Sequence, residues 1–337
     1  MKALRLYGPH DIRLKDEPRP ESGPAQILLR VTAVGICGSD LHWFSEASIG
    51  DATLDRPLII GHEFAGIIEE GSRRGQRVAV DPQVPCEQCE FCREGNPNLC
   101  PSHIFAGHGP NDGALRQFMP WPESAFHQLP DSLTDEDGAM LEPLGVAIHA
   151  VDLAHLRPGM SVGIVGCGPI GLLIMMVARL AGASWIMATD KLSHRLEAAQ
   201  ALGATAVFQA GNHREEAQAI LAQTNQRGLD VLFEAAGENP AVETALDTVK
   251  PGGRIILAGI PADNRTSFDA ATARRKGVTI KLVRRMKNTY PRAIQLVAGG
   301  LVDVRSLVTH RFSIEDYEEA FSVALKREGL KVIIKPW

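Results

Sequence analysis

The sequence predicts an α/β fold in two parts: a small β-rich domain and a domain built on a doubly wound parallel sheet. Three observations carry that prediction. The chain has 337 residues, too many for one ordinary core, so two domains are expected. Residues 1–150 show short alternating stretches broken by frequent turns, as in a small β-rich domain. From about Ser161 onward, strands alternate with helices, the pattern of parallel strands joined by crossovers.

Composition narrows the function. Hydrophobic content of 45% and charge of 22% are those of a soluble globular protein. The formal net charge is −5, with no long run of one sign. That balance argues against a nucleic-acid groove or a membrane surface. The longest apolar stretch, Ile170 to Met187, is broken by Gly171, Arg179, Gly182 and Ser184. It reads as a buried helix followed by a strand, not as a membrane span. No charged and apolar leader follows Met1, so a reducing, cytoplasmic setting is expected.

In the first part, Gln26–Val31 and Ile67–Glu70 read as strands. Two pieces near them stand out: Gly35-Ile-Cys37-Gly-Ser39-Asp40-Leu-His42 and Gly61-His62-Glu63. Cys37, His62 and Glu63 offer one soft, one intermediate and one hard ligand. Three protein ligands with an open fourth position describe a catalytic zinc. Taken singly, each has a plainer reading: a lone cysteine packs in a core, and a His-Glu pair sits in a surface turn. Leu141-Glu142-Pro143-Leu144 ends this part and contributes another acid.

Next come Cys86, Cys89, Cys92 and Cys100, spaced C-x2-C-x2-C-x7-C. Four thiolates so placed enclose one metal tetrahedrally, the arrangement of a structural zinc. The turn-rich lobe around them has little core of its own, and a metal supplies the missing cohesion. Disulfides or an iron–sulfur centre are the rivals; without an oxidising compartment, clustered cysteines favour metal. A nucleic-acid zinc module is a different reading, against which the acidic net charge counts.

In the second part, Ser161–Val165 is a short buried strand. Gly166-Cys167-Gly168-Pro169-Ile170-Gly171 follows, then a helix to about Ala181 and a second strand, Trp185–Thr189, ending at Asp190. This is G-x-G-x-x-G between strand and helix, the Rossmann dinucleotide fingerprint. Gly166 permits the tight turn, Gly168 lets backbone approach a pyrophosphate, and Gly171 lets helix and strand pack closely. The helix N-terminus offers unpaired N–H groups to the phosphates. Asp190 is placed to bind both ribose hydroxyls and to repel a 2′-phosphate, which favours NAD over NADP; Lys191 and Arg195 pull the other way. Cys167 reads as a small buried filler. Ala204–Phe208, Asp230–Glu234 and Arg254–Ala258 read as further strands. Asn239–Val249 reads as a helix with Pro240 in its first turn, closed by Lys250-Pro-Gly-Gly253.

Taken together, Cys37–His42, Gly61–Glu63, the four-cysteine lobe, Glu142-Pro-Leu-Gly-Val-Ala-Ile-His-Ala150 and Gly166–Gly171 occur in an order that resembles the zinc-dependent medium-chain dehydrogenase/reductase family. The likeness covers essentially the whole chain. Asn288-Thr-Tyr-Pro291 and Leu307–Phe312 resemble its sorbitol (polyol) dehydrogenase branch. The resemblance implies a GroES-like catalytic domain, residues 1–150 and 286–337, interrupted by a Rossmann NAD-binding domain, residues 151–285. It implies NAD, two zinc ions per subunit, and homo-oligomers, with a tetramer favoured over a dimer. The implied reaction moves a hydride from a secondary alcohol, a polyol of the sorbitol/xylitol class, to NAD and leaves a ketose. L-threonine 3-dehydrogenase, or another secondary-alcohol dehydrogenase, is the alternative on the same scaffold.

Carried over by position, Cys37 and His62 match catalytic zinc ligands, and Glu63 matches a third ligand in the polyol branch and a nearby reserve carboxylate in others. Glu142 matches an acid that touches substrate or reaches the zinc through water. Ser39 matches the hydroxyl that hands on the substrate proton, with His42 as the next station. Asp40 matches a partner that orients His62. Gly166, Gly168, Pro169, Ile170, Gly171, Asp190, Arg195, Gly259 and Ile260 match cofactor contacts, and Arg285 matches a residue near the polyol chain. Trp43 and Met286 depart from the branch, standing where tyrosines are common. Losing two hydroxyls from a pocket changes which alcohol fits.

Overall fold

Alternation along the strand Gln26–Gly35 sets the core of the first unit. Leu29, Val31 and Ala33 are buried, while Arg30 and Thr32 are half-buried on the other face. This is the period of two expected of a strand with one face on a core. The computed structural model describes all 337 residues. They divide into two compact units: Met1–Glu142 with Tyr290–Trp337, and Pro143–Thr289.

In the first unit, strands line up in the order Phe126–Gln128, Arg77–Val80, Glu63–Ile68, Gln26–Gly35, Lys331–Lys335 and Val308–Ser313. Phe118–Pro122 also pairs with Gln26–Gly35. Every pairing is antiparallel except that between Val308–Ser313 and Lys331–Lys335. The C-terminal segment therefore completes a sheet begun by the N-terminal one. Its first residue, Tyr290, is buried and donates from its hydroxyl to the Val80 carbonyl at 2.6 Å. Arg305 clamps the buried Asp137 with hydrogen bonds of 2.7–2.9 Å.

The helix Asp135–Ala154 starts on a capping box: Thr134 N–H donates to Asp137 Oδ2 at 2.7 Å, and Asp137 N–H donates to Thr134 Oγ1 at 3.1 Å. The division between units falls inside this helix, at Glu142/Pro143, and again at Thr289/Tyr290. The boundaries read from sequence, 150/151 and 285/286, lie elsewhere, because the helix runs on without a break that composition would reveal.

In the second unit six strands form one parallel sheet, ordered Ala206–Gln209, Trp185–Asp190, Ser161–Val165, Leu229–Glu234, Val249–Leu257 and Thr279–Leu282. The order reverses between Ser161–Val165 and Leu229–Glu234, the switch point at which such sheets bind dinucleotides. Leu229–Glu234 is buried along its whole length, as a strand covered on both faces must be. One detail differs from the sequence reading. Lys250–Gly253 does not close a helix as a free turn; it lies within the strand Val249–Leu257. Leu229 pairs with Val249 but Val231 pairs with Arg254, so the intervening residues bulge from the ladder.

Candidate active site and metal centres

The strand Gln26–Gly35 delivers Cys37 to the start of the helix Gly38–Glu46, where it is the N-cap. Asp40 in the first turn accepts the Cys37 N–H at 2.9 Å through Oδ2. Its other oxygen accepts the Gly61 N–H at 3.1 Å and stands 3.3 Å from His62 Nδ1. One buried carboxylate thus ties together both segments that carry Cys37 and His62. Gly61 has φ +94°, and a Cβ there would come within 3.0 Å of Leu115 Cγ, so glycine is required on two counts.

Glu63 opens the neighbouring strand, directly opposite Gly35. Gly35 lacks a Cβ that would overlap the Glu63 carboxylate. Lys331, from the C-terminal strand, donates to the Ile36 carbonyl at 3.0 Å and lies against the Glu63 carboxylate. Lys331 is 3% exposed and Glu63 1%. The Cys37 sulfur, a His62 ring nitrogen and a Glu63 oxygen lie within 4.8 Å of one another. Ser39 Oγ stands 3.4 Å from His62 Nε2. His42 is further along the same helix, with Nδ1 3.3 Å from Glu46 Oε1.

The electrostatics follow from burial and from the charges packed beside each group. Burial alone would lower His62, yet Asp40 and Cys37 beside it hold the imidazole well above its ordinary value. Burial would raise Asp40, but His62 and the two backbone N–H groups keep it below the usual carboxylate range. Glu142 is buried in the helix Asp135–Ala154 rather than exposed at a helix flank. Burial pushes its carboxyl up to about 8, with His62 opposing and Glu63 adding to the rise. A part-buried thiol with a buried imidazole and carboxylate converging within one coordination radius fit a divalent zinc ion. Asp40 supplies the hydrogen bond that fixes the histidine's tautomer.

The second cluster is all sulfur. The Sγ atoms of Cys86, Cys89, Cys92 and Cys100 lie within 4.8 Å of one another. Cys89 and Cys92 are 3.4 Å apart, and Cys86 N–H donates to Cys100 Sγ at 3.3 Å. Zinc–sulfur bonds of about 2.3 Å imply sulfur–sulfur edges of about 3.8 Å, so the cage fits. All six cysteines are thiols. Backbone N–H groups of Gln88 and Cys89 pull Cys86 down to about 6, while burial and the Cys89 and Cys100 thiols push Cys92 up to about 12. The lobe's large apolar side chains, Phe91 and Leu99, face outward. Sulfur and metal, not a core, would hold it.

In the second unit, Gly166 takes φ +98°, and a Cβ there would come within 2.7 Å of Ala236 N. Gly168 caps the helix Pro169–Leu180 with its N-terminus free of any side-chain cap. A Cβ at Gly171 would strike the Gly166 carbonyl. Asp190 ends the second strand, buried, accepting from Cys167 N–H at 2.7 Å and Leu192 N–H at 2.9 Å. Arg195 Nη1 is 3.7 Å from it. Cys167 is fully buried, and burial raises its thiol to about 12, consistent with a filler. Gly259 lies against Glu234, and Ile260 is half-exposed after the strand Val249–Leu257. Arg285 sits with φ +53° in the loop before Tyr290.

Three features went unread in the sequence. Lys331 looks like any lysine at a strand start. Glu234 ends its strand as Asp190 does and binds Ala236 and Gly237 N–H at 2.7 and 2.6 Å, clasping the loop that faces Gly166; that parallel position was a usable signal. The third is aromatic: His62 packs on Phe105 at 5.4 Å, Phe105 on His108 at 6.5 Å, and His108 edge-on to Trp43 at 5.5 Å. Trp43 is buried, as is Met286, whose sulfur sits over Gly145.

Comparison with known proteins agrees with this geometry. Residues 23–131 match the alcohol dehydrogenase GroES-like domain, and residues 169–299 match the zinc-binding dehydrogenase domain. The sorbitol dehydrogenase of Bacillus subtilis is 39% identical over 100% of this chain and 97% of its own length. The chain belongs to the zinc-dependent medium-chain dehydrogenase/reductase family. A probable D-xylulose reductase A of Aspergillus clavatus is 37% identical over 98% of this chain and 95% of its own. Among solved structures, an Escherichia coli oxidoreductase/dehydrogenase of unknown specificity matches with a TM-score of 0.92 and 34% identity, covering 99% of this chain and 98% of that one. Family membership accounts for both the β-rich unit with its two ligand clusters and the parallel-sheet unit. No helix is long and apolar enough to cross a membrane.

Proposed function

We propose that this chain oxidises a polyol of the sorbitol/xylitol class with NAD, leaving a ketose. The observation that carries the reading is the convergence of Cys37, His62 and Glu63, with Ser39 beside them, in a chain matched end to end by polyol dehydrogenases. Zinc, when bound, supplies Lewis acidity, and NAD supplies the hydride acceptor.

The chain's own residues do the rest. Cys37, His62 and Glu63 hold the metal; Asp40 fixes the imidazole so that Nε2 faces the site. Lys331 balances the buried Glu63 charge. Ser39 would relay the hydroxyl proton of the substrate, accepting it while releasing its own toward solvent, as the carbon gives up its hydride to NAD. His42, part-exposed on the same helix, passes the proton to solvent. Glu142, buried beside the same cluster, offers its carboxyl group to a substrate hydroxyl. Gly166, Gly168 and the helix start from Pro169 receive the pyrophosphate, and Asp190 the ribose hydroxyls, which favours NAD. Cys86, Cys89, Cys92 and Cys100 hold a second, structural zinc.

We read the assembly as a homo-oligomer, a tetramer before a dimer. Support comes from the edge strand Thr279–Leu282, unpaired on one side, with Leu282 72% exposed. Cysteines clustered as metal ligands support a reducing, cytoplasmic setting. The threonine alternative is not favoured, since full-length relatives are sorbitol dehydrogenases and a xylulose reductase. The test is NAD reduction across sorbitol, xylitol, 2,3-butanediol and threonine, with and without chelator. Turnover of polyols that chelation abolishes is expected. Turnover of threonine alone would overturn the reading.

A further inference from the structure

We propose that His108 recognises a substrate hydroxyl remote from the carbon being oxidised, and so helps decide which polyol is accepted. The inference rests on the polyol reading above and deepens it.

His108 is fixed relative to the metal ligands by backbone, not by chance packing. Its loop lies directly on the segment Ile59–His62. Gly113 N–H donates to the Ile59 carbonyl at 2.6 Å, and Ala114 N–H to the Gly61 carbonyl at 2.8 Å. Asp112 Oδ1 accepts the Ile59 N–H at 3.0 Å. Gly107 has φ +72°, and a Cβ there would come within 2.9 Å of Gly61 N, so the two chains touch without side chains between them. His108 itself closes a tight turn, its carbonyl accepting from Asn111 N–H at 3.0 Å. A loop so held carries its side chain with the precision a specificity contact needs.

The ring completes a wall that starts at the metal. From His62 the path runs 5.4 Å to Phe105 and 6.5 Å to His108, so the two imidazoles are separated by at most the sum of these steps. Phe105 thus stands in ring contact with both imidazoles, one at the metal site and one beyond it. Trp43, on the helix that Cys37 caps, meets His108 edge-on at 74°. Between His62 and His108 the wall is aromatic carbon. Pockets of this kind orient their ligand with a few polar groups set in apolar surroundings. A half-buried imidazole both donates and accepts, matching a hydroxyl in either sense. Phe105, part-exposed, offers an apolar face for the carbon chain, while the buried Trp43 backs the His108 ring.

The experiment compares wild type with His108→Phe and His108→Gln on xylitol, sorbitol and 2,3-butanediol, which lacks remote hydroxyls. Equilibrium binding of xylitol to the zinc-loaded protein is read in parallel by calorimetry. Expected is at least a tenfold rise in KM and Kd for xylitol in H108F, with kcat/KM for 2,3-butanediol within about twofold of wild type, since a hydroxyl-binding site rejects analogues that cannot use it. H108Q, which keeps a donor and an acceptor, should recover most of the loss. If H108F fails to fold, His108→Ala reads the same split. Unchanged xylitol binding in a folded variant, or equal losses on both alcohols, would overturn the assignment. A wild-type protein that turns over no polyol would instead overturn the functional reading beneath it.

Discussion

Asp40 Oδ1 stands 3.3 Å from His62 Nδ1, with the aspartate 1% and the histidine 7% exposed. The same carboxylate holds the N–H groups of Cys37 and Gly61. It therefore sets the tautomer of one ligand and the backbone of both ligand segments. Asp40→Asn should weaken zinc binding at the three-ligand site by about 10–100-fold, the usual effect of losing such a partner. Chelator competition measures this. An unchanged affinity would show that the ligand segments hold themselves.

The two clusters should separate cleanly in function. Cys37→Ser is expected to abolish turnover while NADH binding, followed by fluorescence, stays within a few-fold of wild type. Cys86→Ser should instead loosen the lobe between Pro85 and Pro101, opening it to limited proteolysis. Full activity in the first variant would remove Cys37 from the chemistry. A lobe that stays protease-resistant in the second would mean that metal is not its brace.

Lys331 and Glu63 form an ion pair with almost no solvent access. Removing one partner leaves a buried charge alone, at a cost of about 3–5 kcal/mol. Lys331→Met should therefore lower the unfolding free energy of the metal-free protein by about that amount. Adding Glu63→Gln should restore much of it. Chemical denaturation of the two variants checks the sign: a double variant no more stable than the single one would contradict the pairing.

Asp190 keeps its carboxylate on backbone N–H groups at the strand end, with Arg195 beside it. Asp190→Ser removes the charge that repels a 2′-phosphate and leaves Arg195 to attract one. The ratio of kcat/KM for NAD over NADP should fall at least tenfold. A ratio that does not move would assign cofactor choice elsewhere.

Acid should weaken the bond between the N-terminal and C-terminal segments of the first unit. Burial raises the Asp137 carboxyl, but Arg305 and Thr134 outweigh it and hold the group below its ordinary value. A depressed value in the folded state means stability that is present above the unfolded value of about 3.9 and is lost as pH falls through the folded one. The stability gap between wild type and Asp137→Asn should be widest near pH 7 and narrow below about pH 4. A gap independent of pH would mean that the ion pair contributes nothing beyond its hydrogen bonds.

Much of this was legible from the sequence because the signals are local. Four cysteines within one lobe, and glycines at fixed offsets after a strand, carry their geometry in their spacing. Asp40 was readable for the same reason, being three residues from Cys37. Lys331 was not, since nothing in Lys331–Lys335 tells a buried lysine from a surface one; only the pairing of that strand with Gln26–Gly35 brings it to Glu63. His108 was hidden in the same way, because its ring partner Trp43 lies far away in sequence. Lys250–Gly253 was misread because a Pro-Gly-Gly run is the ordinary mark of a turn, and here the strand pairs on either side of it.

The strand Lys331–Lys335 also fixes an order of events during synthesis. Cys37, His62 and Glu63 emerge from the ribosome long before the residues that supply their sheet neighbour and their buried cation. The second unit, made of the continuous segment Pro143–Thr289, has every strand it needs while the chain is still growing. The nucleotide-binding half can thus mature first, and the metal-binding half is finished only after Lys331–Lys335 has emerged.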